Sequence, residues 1–231
     1  MQQRTSRPTI LLTGYGPFPG VPVNASWAVV QALAPAAVRA FPGFRVHHEM
    51  LSTEWHGGTQ RIVALLEETR PVLAVHFGVS SRASGFVLEA RGFNERSAVE
   101  DACGHTPERG ACLVAQGPES LGTRLPLGLI AHRLRAKGLP VEHSRNAGRY
   151  LCNAALYHSL ETARRYNWPM KSGFIHLPTA IGKRRHEGDS KLTMAQAVIG
   201  GLEIIAASLG RPGITNDAAG RVATTVGSRP K

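Results

Sequence analysis

The chain has 231 residues, of which 42% are hydrophobic and 19% charged, with a formal net charge of +11 and a sequence pI near 10.4. This balance is typical of a globular protein and excludes a disordered chain. No apolar run approaches the roughly 20 residues that cross a bilayer, so no membrane span or membrane partner is expected. The length predicts one domain over 9–210, between a flexible N-terminus (1–8) and a flexible C-terminal tail (211–231).

Hydrophobic periodicity, turn residues and capping residues predict an alternation of strands and helices. In chain order these are a strand at 9–13, a helix capped by Asn24 or Ser26 and running through Leu33, a helix at 59–69, a strand at 72–77, a helix at 125–137 that ends at Gly138, a strand at 140–144, a helix at 150–165, a strand at 173–177, and a helix opened by a Thr193/Gln196 capping box and ending near 208. This order predicts a single-domain, three-layer α/β fold, with a twisted, mostly parallel sheet and helices on both faces.

Sites in open α/β sheets form at the carboxyl ends of the strands. Four segments therefore become candidates for function: 14–20, 78–94, 144–153 and 176–182.

Cys152 lies in the first turn of a predicted helix, just after a strand and a glycine-containing turn. Free N–H groups and the positive end of the helix dipole stabilise a thiolate there, and the same N–H groups could bind an oxyanion. The alternative is an inert cysteine packed under Leu156 and Tyr157. A nucleophilic thiol needs a base, and that base needs an orienting group.

Two polar residues end apolar segments and fit those roles. His176 ends the strand at 173–177, and Glu89 ends the run Gly85–Glu89. His76, inside the strand at 72–77, is the competing histidine, although a core histidine bonded to backbone would explain it equally well. Surface positions are expected for the remaining histidines considered: His47, His48, His56, His132, His143, His158 and His186.

Other kinds of site have weaker support. Cys103, His105 and Cys112 resemble part of a zinc site but lack a fourth ligand and paired C-x-x-C spacing. The Gly-rich turn at 14–20 has neither the register nor the lysine of a phosphate loop and is more typical of a rigid aromatic wall. The basic residues are scattered apart from the cluster at 183–186, with no nucleic-acid-binding motif, so no nucleic-acid partner is expected. Three cysteines without a signal peptide indicate a cytoplasmic protein.

Four segments together resemble one known family. They are 12–18 with 23–27, Leu88-Glu89 with Asn94, 144–153 with Tyr157, and 173–178. The likeness runs from about 9 to 208, and its most specific part is the segment around Cys152. These segments are similar to those of the pyroglutamyl peptidase I (pyrrolidone-carboxylate peptidase) family of cysteine peptidases.

The resemblance implies a catalytic triad of Cys152 as nucleophile, His176 as base and proton donor, and Glu89 as the group that orients the imidazole. It further implies removal of an N-terminal pyroglutamyl or related acyl group from a peptide or small N-acyl amide through a thioester, without a metal or organic cofactor. Family members are cytoplasmic homo-oligomers, so a tetramer or dimer is expected. The substrate-binding residues that it implies are Tyr15, Phe18, Thr53, Val79 and Leu151.

The sequence departs from the family pattern at several positions, two of which bear on substrate recognition and the oxyanion. Val79 stands where the family usually has a glutamine, and Val99 where an arginine is expected. A catalytically silent α/β protein that uses the same pocket for binding is therefore the alternative interpretation.

Overall fold

The computed structural model describes residues 7–18, 20–182 and 192–214. These residues form the strands β1 (Thr9–Tyr15), β2 (Arg45–Leu51), β3 (Leu73–Ser80), β4 (Phe86–Glu89), β5 (Arg91–Phe93), β6 (Ser120–Gly122), β7 (Val141–Ser144) and β8 (Lys171–Pro178). The helices are α1 (Ala25–Ala40), α2 (Gly57–Thr69), α3 (Leu127–Ala136), α4 (Leu151–Arg165) and α5 (Met194–Ser208).

Six strands form one sheet in the order β2-β1-β3-β8-β4-β7, and β5 pairs with β6 in a separate antiparallel ribbon. Every pairing in the main sheet is parallel except that of β8 with β4. The predicted mostly parallel α/β sheet in a single domain is confirmed. Because β8 has β3 on one side and β4 on the other, it lies in the interior of the sheet.

Side chains alternate between the two faces of each strand and separate two apolar cores. On one face, β1, β3 and β8 contribute residues such as Ile10, Val75 and Ile175 to a core shared with α1, α3 and α5. On the other face, Leu11 and Phe174 pack with residues of α2 and α4. The three layers are thus helices, sheet and helices.

The first helix is longer than predicted, because it continues through Pro35 to Ala40. Pro35 is exposed, whereas Ala34, Ala36 and Ala37 around it are buried. The carbonyl that loses its helical partner to proline therefore lies on the solvent side, and packing on the opposite side holds the helix together.

Strand β2 was not predicted, nor were the short strands β4, β5 and β6. Polar residues dominate β2, and only its last residue, Leu51, is buried, so the strand lacks the apolar pattern that marks a core strand. Its hydrogen bonds come from β1, with which it pairs from Thr9–Arg45 to Tyr15–Leu51.

No helix within the described ranges is long and apolar enough to cross a membrane. The basic cluster at 183–186, with His186, lies outside the described residues, as do 1–6 and 215–231. The predicted flexible ends and the limits of the domain stay predictions.

Candidate active site

Cys152 is the second residue of α4 and is half-buried at the helix N-terminus. Gly148, with φ of +81°, makes the turn that leads from β7 into the helix. The N-cap residue Tyr150 supplies no side-chain cap, and its carbonyl accepts the first helical bond from Ala154. The amides of the first helical turn have no partner within the helix, so they are available beside the sulfur.

His176 and Glu89 meet on neighbouring strands. Glu89 pairs with Phe174 across the antiparallel β4–β8 contact, which places it diagonally from His176. The Nδ1 atom of His176 lies 2.8 Å from Glu89 Oε1, and both residues are buried at 8% and 3% exposure. This bond occupies Nδ1 of His176, and the thiol of Cys152 lies near enough to the imidazole to raise the pKa of His176.

The electrostatics of this site favour a charged imidazole. Burial of His176 opposes protonation, but the charge and hydrogen bond of Cys152, followed by those of Glu89, outweigh it and raise the pKa of His176 to about 10. At neutral pH the imidazolium therefore lies between the sulfur and the carboxylate. A thiolate paired with an imidazolium is the reactive form of a nucleophilic cysteine.

Gly78 makes room for the sulfur. It pairs directly with His176 across β3 and β8, and α4 crosses above it. A Cβ atom at this position would lie 3.0 Å from Cys152 Sγ and 2.6 Å from the ring of Phe174. A residue without a side chain therefore lets the thiol reach the strand on which the histidine sits.

A small pocket opens beside Cys152. Its lining comes from the end of β1, the loops after β1 and β2, the end of β3 and the start of α4, and comprises Tyr15, Phe18, Asn24, Thr53, Val79, Tyr150, Leu151 and Cys152. All five residues that the sequence predicted to bind substrate line this pocket together with the thiol. It encloses about 70 Å³ and is therefore a small site.

Two tyrosines in this wall are neutral phenols. Burial, then the charges of Cys152 and Tyr150, raise the pKa of Tyr15. Burial and the charges of Asp101 and Cys152 raise the pKa of Tyr150 to about 12. The hydroxyl of Tyr15 donates to the carbonyl of Leu151 at 2.7 Å and so fixes the wall to the start of α4. Neither phenol competes with His176 for a proton near pH 7.

His76 does not join the cysteine. It is fully buried, and its Nδ1 and Nε2 atoms lie 2.8 Å from Thr13 Oγ1 and 2.7 Å from Ser159 Oγ. The expectation that His76 bonds to backbone is thus wrong, because both of its partners are side-chain hydroxyls. His158, expected at the surface, is half-buried on α4; burial and then Arg96 lower its pKa to about 4.

The segment with the zinc-like spacing is organised by a carboxylate. Asp101 accepts hydrogen bonds from the backbone N–H groups of Trp55, Cys103 and His105 at 2.8–2.9 Å. Burial opposes the charge of Asp101, but these donors lower its pKa overall. Cys103 and Cys112 are exposed free thiols. Within the described parts of the chain, no three His, Cys, Asp or Glu residues are placed to hold a metal ion.

Two pocket residues escaped the sequence analysis as binding residues. Asn24 had been considered only as a helix cap, and it does cap α1, accepting from Ser26 N–H. Tyr150 immediately precedes the helix of Cys152, and its ring packs edge-on against Trp55 with centroids 5.3 Å apart. The position of this aromatic residue, close to the candidate nucleophile in sequence, could have marked Tyr150 as a pocket residue. Val99, expected to match an arginine, is half exposed, and its carbonyl accepts from the Trp55 indole.

Comparison with known proteins agrees with this geometry. The family model for pyroglutamyl peptidase matches residues 8–208. The chain belongs to the pyroglutamyl peptidase family. It is therefore a cysteine peptidase by family, as the sequence predicted.

Individual relatives cover most of this peptidase. Pyroglutamyl-peptidase 1 of Rattus norvegicus is 35% identical over 179 residues, which are 77% of this chain and 81% of the rat protein. The pyrrolidone-carboxylate peptidase of Oceanobacillus iheyensis is 29% identical over 171 residues, 74% of this chain and 84% of its own. The crystal structure of Bacillus amyloliquefaciens pyroglutamyl peptidase I superposes with a TM-score of 0.77 at 26% identity, covering 87% of this chain and 96% of that one.

Proposed function

We propose that this peptidase removes N-terminal pyroglutamyl residues, with Cys152 as nucleophile, His176 as proton carrier and Glu89 as the group that orients His176. The observation that carries the proposal is the buried His176–Glu89 hydrogen bond beside the thiol of Cys152, which itself lines a small pocket. The relatives named pyroglutamyl peptidase support the choice of substrate.

Acylation follows from the charge distribution of the resting site. The Cys152 thiolate attacks the carbonyl carbon of the pyroglutamyl group, and the free amides at the start of α4 are placed to stabilise the oxyanion that forms. The C–N bond then breaks as the His176 imidazolium gives its proton to the leaving amine. The products of this step are a thioester on Cys152, a neutral imidazole and the shortened peptide.

Deacylation reverses the proton movement. The neutral His176 takes a proton from water as the water oxygen attacks the thioester carbon. The C–S bond breaks, which restores the thiolate and imidazolium and releases pyroglutamate. Throughout the cycle Glu89 accepts the Nδ1–H bond, which keeps the other ring nitrogen directed at the sulfur.

The size and lining of the pocket suit this substrate. The small volume of the pocket suits a compact group such as a five-membered lactam ring. Tyr15, Phe18 and Val79 provide apolar walls for the ring. Among the residues that the structure describes, the pocket lining contains no Asp, Glu, Lys or Arg, which favours a neutral lactam over a charged free amino terminus.

The compartment and assembly belong to the same proposal. Three free cysteines, two of them exposed, suit the reducing cytoplasm. A homo-oligomer, tetramer or dimer, is the assembly that the resemblance to the family implies.

The test is turnover of a pyroglutamyl amide by the purified protein and three variants. Cys152→Ser and His176→Ala should each lower kcat on the order of a thousandfold or more, because the two groups act as a unit. Cys112→Ser, which changes an exposed thiol, is the matched control and should leave kcat unchanged. A wild type that does not hydrolyse the amide, or a Cys152→Ser variant that hydrolyses it normally, would contradict the proposal.

A further inference from the structure

A chain of buried polar side chains lies between the sheet and α4. It consists of Thr13 on β1, His76 on β3 and Ser159 on α4, all fully buried. The imidazole of His76 bonds both hydroxyls, at 2.8 Å and 2.7 Å. An imidazole in an apolar core has no packing advantage over an aliphatic residue, and it is tolerated only because both nitrogens are paired.

The bond to Ser159 lies on the same face of α4 as Cys152. The two residues are seven positions apart, which is close to two full helical turns, with a rotation of only about 20° and a rise of about 10 Å. Both side chains therefore project toward the sheet, where Ser159 meets His76 and Cys152 meets Gly78.

The contacting residues on β3 also share a face. His76 and Gly78 are two positions apart in the strand, so both are directed toward α4. Gly78 is the direct partner of His176 on β8. The helix α4 thus contacts β3 at two successive places, Ser159 with His76 and Cys152 with Gly78. The position of Cys152 over Gly78 sets the distance between the sulfur and the imidazole of His176.

The two contacts differ in kind. The Cys152–Gly78 contact is van der Waals packing against a glycine, and Ala155 and Leu156 likewise pack without a directional bond. Other directional bonds of α4 lead elsewhere: Asn153 bonds the backbone of Phe93 and Glu95, and the carbonyl of Leu151 accepts from Tyr15. The His76–Ser159 hydrogen bond is the buried directional bond that ties α4 to β3, the strand that carries Gly78.

We propose that His76 is a positioning residue of this peptidase, which acts through Ser159 to hold α4 where the thiol of Cys152 meets His176. His76 itself touches neither the substrate nor the reacting atoms. The inference rests on the proposed function only for the choice of substrate, because the reactivity of the thiol can be measured without one.

The experiment compares Ser159→Ala with Thr13→Val. Each variant removes one hydroxyl from the same imidazole, but only Ser159→Ala removes the bond that ties α4 to β3. Ser159→Ala should lower kcat on a pyroglutamyl amide about tenfold to a hundredfold, as small misplacements of reacting groups do. KM should change less than kcat, because most of the pocket wall lies on β1, β3 and the loops after β1 and β2. Thr13→Val should keep kcat within about twofold of wild type at a similar loss of thermal stability.

The second readout is the rate at which iodoacetamide alkylates Cys152 at pH 6.5. Ser159→Ala should slow it and Thr13→Val should not. If the wild type fails to cleave the amide, the proposed substrate is wrong and alkylation alone decides the inference. Equal losses in both variants would show a purely structural role and overturn it. An unchanged kcat and alkylation rate in Ser159→Ala, or a raised KM with kcat unchanged, would overturn it as well.

Discussion

Glu89 carries a carboxylate that is 3% exposed, and its Oε2 atom has no hydrogen-bond partner. Such a group is stabilised only by the positive charge beside it. His176 is in the reverse situation, since its burial disfavours the imidazolium that Cys152 and Glu89 favour. Each charge at this site therefore depends on the others, and substitution of one residue changes the protonation of its neighbours.

At the residue level, the sequence suggested Cys152, His176 and Glu89 because each stands at the end of a strand or the start of a helix, and the structure brings His176 and Glu89 into contact. It could not place the partners of His76. The hydroxyls of Thr13 and Ser159 are 63 and 83 positions away in sequence, and neither residue type marks a binding position. Partners of this kind become visible only once the helix is packed on the sheet.

The stability of the protein should fall in mild acid because of His76. Burial lowers the pKa of His76 to about 4 in the folded protein, against 6.5 for an ordinary histidine. Between these values the unfolded chain binds the proton and the folded chain does not. The stabilisation that neutral His76 gives to the folded protein is thus complete above pH 6.5. It decreases as the pH falls to 4, which lowers the free energy of unfolding by about 3 kcal/mol.

Urea unfolding of the wild type and His76→Gln at a series of pH values measures this effect. The wild type should lose stability more steeply than the variant between pH 6.5 and 4. His158 titrates in the same window but is present in both proteins, so its effect cancels in the difference. Parallel pH profiles for the two proteins would show that His76 is not held neutral.

At the level of elements, long apolar runs were predicted most easily. The strands β1, β3 and β8 are buried along nearly their whole length and were predicted from such runs. The polar edge strand β2 and the short buried strand β4 were missed, whereas the short edge strand β7 was predicted. The helix α5 was located by its capping box, which the structure forms in both directions between Thr193 and Gln196. Local chemistry thus predicts caps and long apolar strands, whereas short or polar strands depend on their neighbours.

The helix α5 also contributes a buried charge that joins three parts of the chain. Glu203 is 1% exposed, accepts a bond from Ile214 N–H at 2.9 Å, and lies 3.8 Å from Lys137 and 4.0 Å from Arg133. Lys137 donates to the carbonyl of Ile214 at 2.7 Å. The end of α3, the helix α5 and the segment after it are therefore held together by one carboxylate.

Glu203→Gln should destabilise the protein by about 3 kcal/mol, because it removes the counter-charge of two cations but retains an acceptor for Ile214. The matched control is Glu68→Gln, which breaks the surface pair with Arg61 and should cost less than about 1 kcal/mol. Urea unfolding at pH 7 measures both. An equal loss in the two variants would mean that Glu203 is no more than a surface charge.

At the level of the whole molecule, the sheet assembles a site from distant parts of the sequence. The pocket and the thiol draw on the chain at 15–24, 53, 79 and 150–152, while the imidazole and carboxylate come from β8 and β4. Apolar cores on both faces of the sheet hold these segments in register. The sheet and the packed helix α4 place a small pocket beside the thiol of Cys152.

The role of Cys152 as nucleophile is tested most directly by mass spectrometry. The mass of the intact protein, and of its Cys152 peptide, is measured after rapid acid quenching during turnover of a pyroglutamyl ester. If Cys152 forms the thioester, its peptide becomes heavier by one pyroglutamyl group. This adduct should be absent in Cys152→Ser and persist longer in His176→Ala. Turnover without an adduct on Cys152, or an adduct on Cys103 or Cys112 instead, would contradict this role of Cys152.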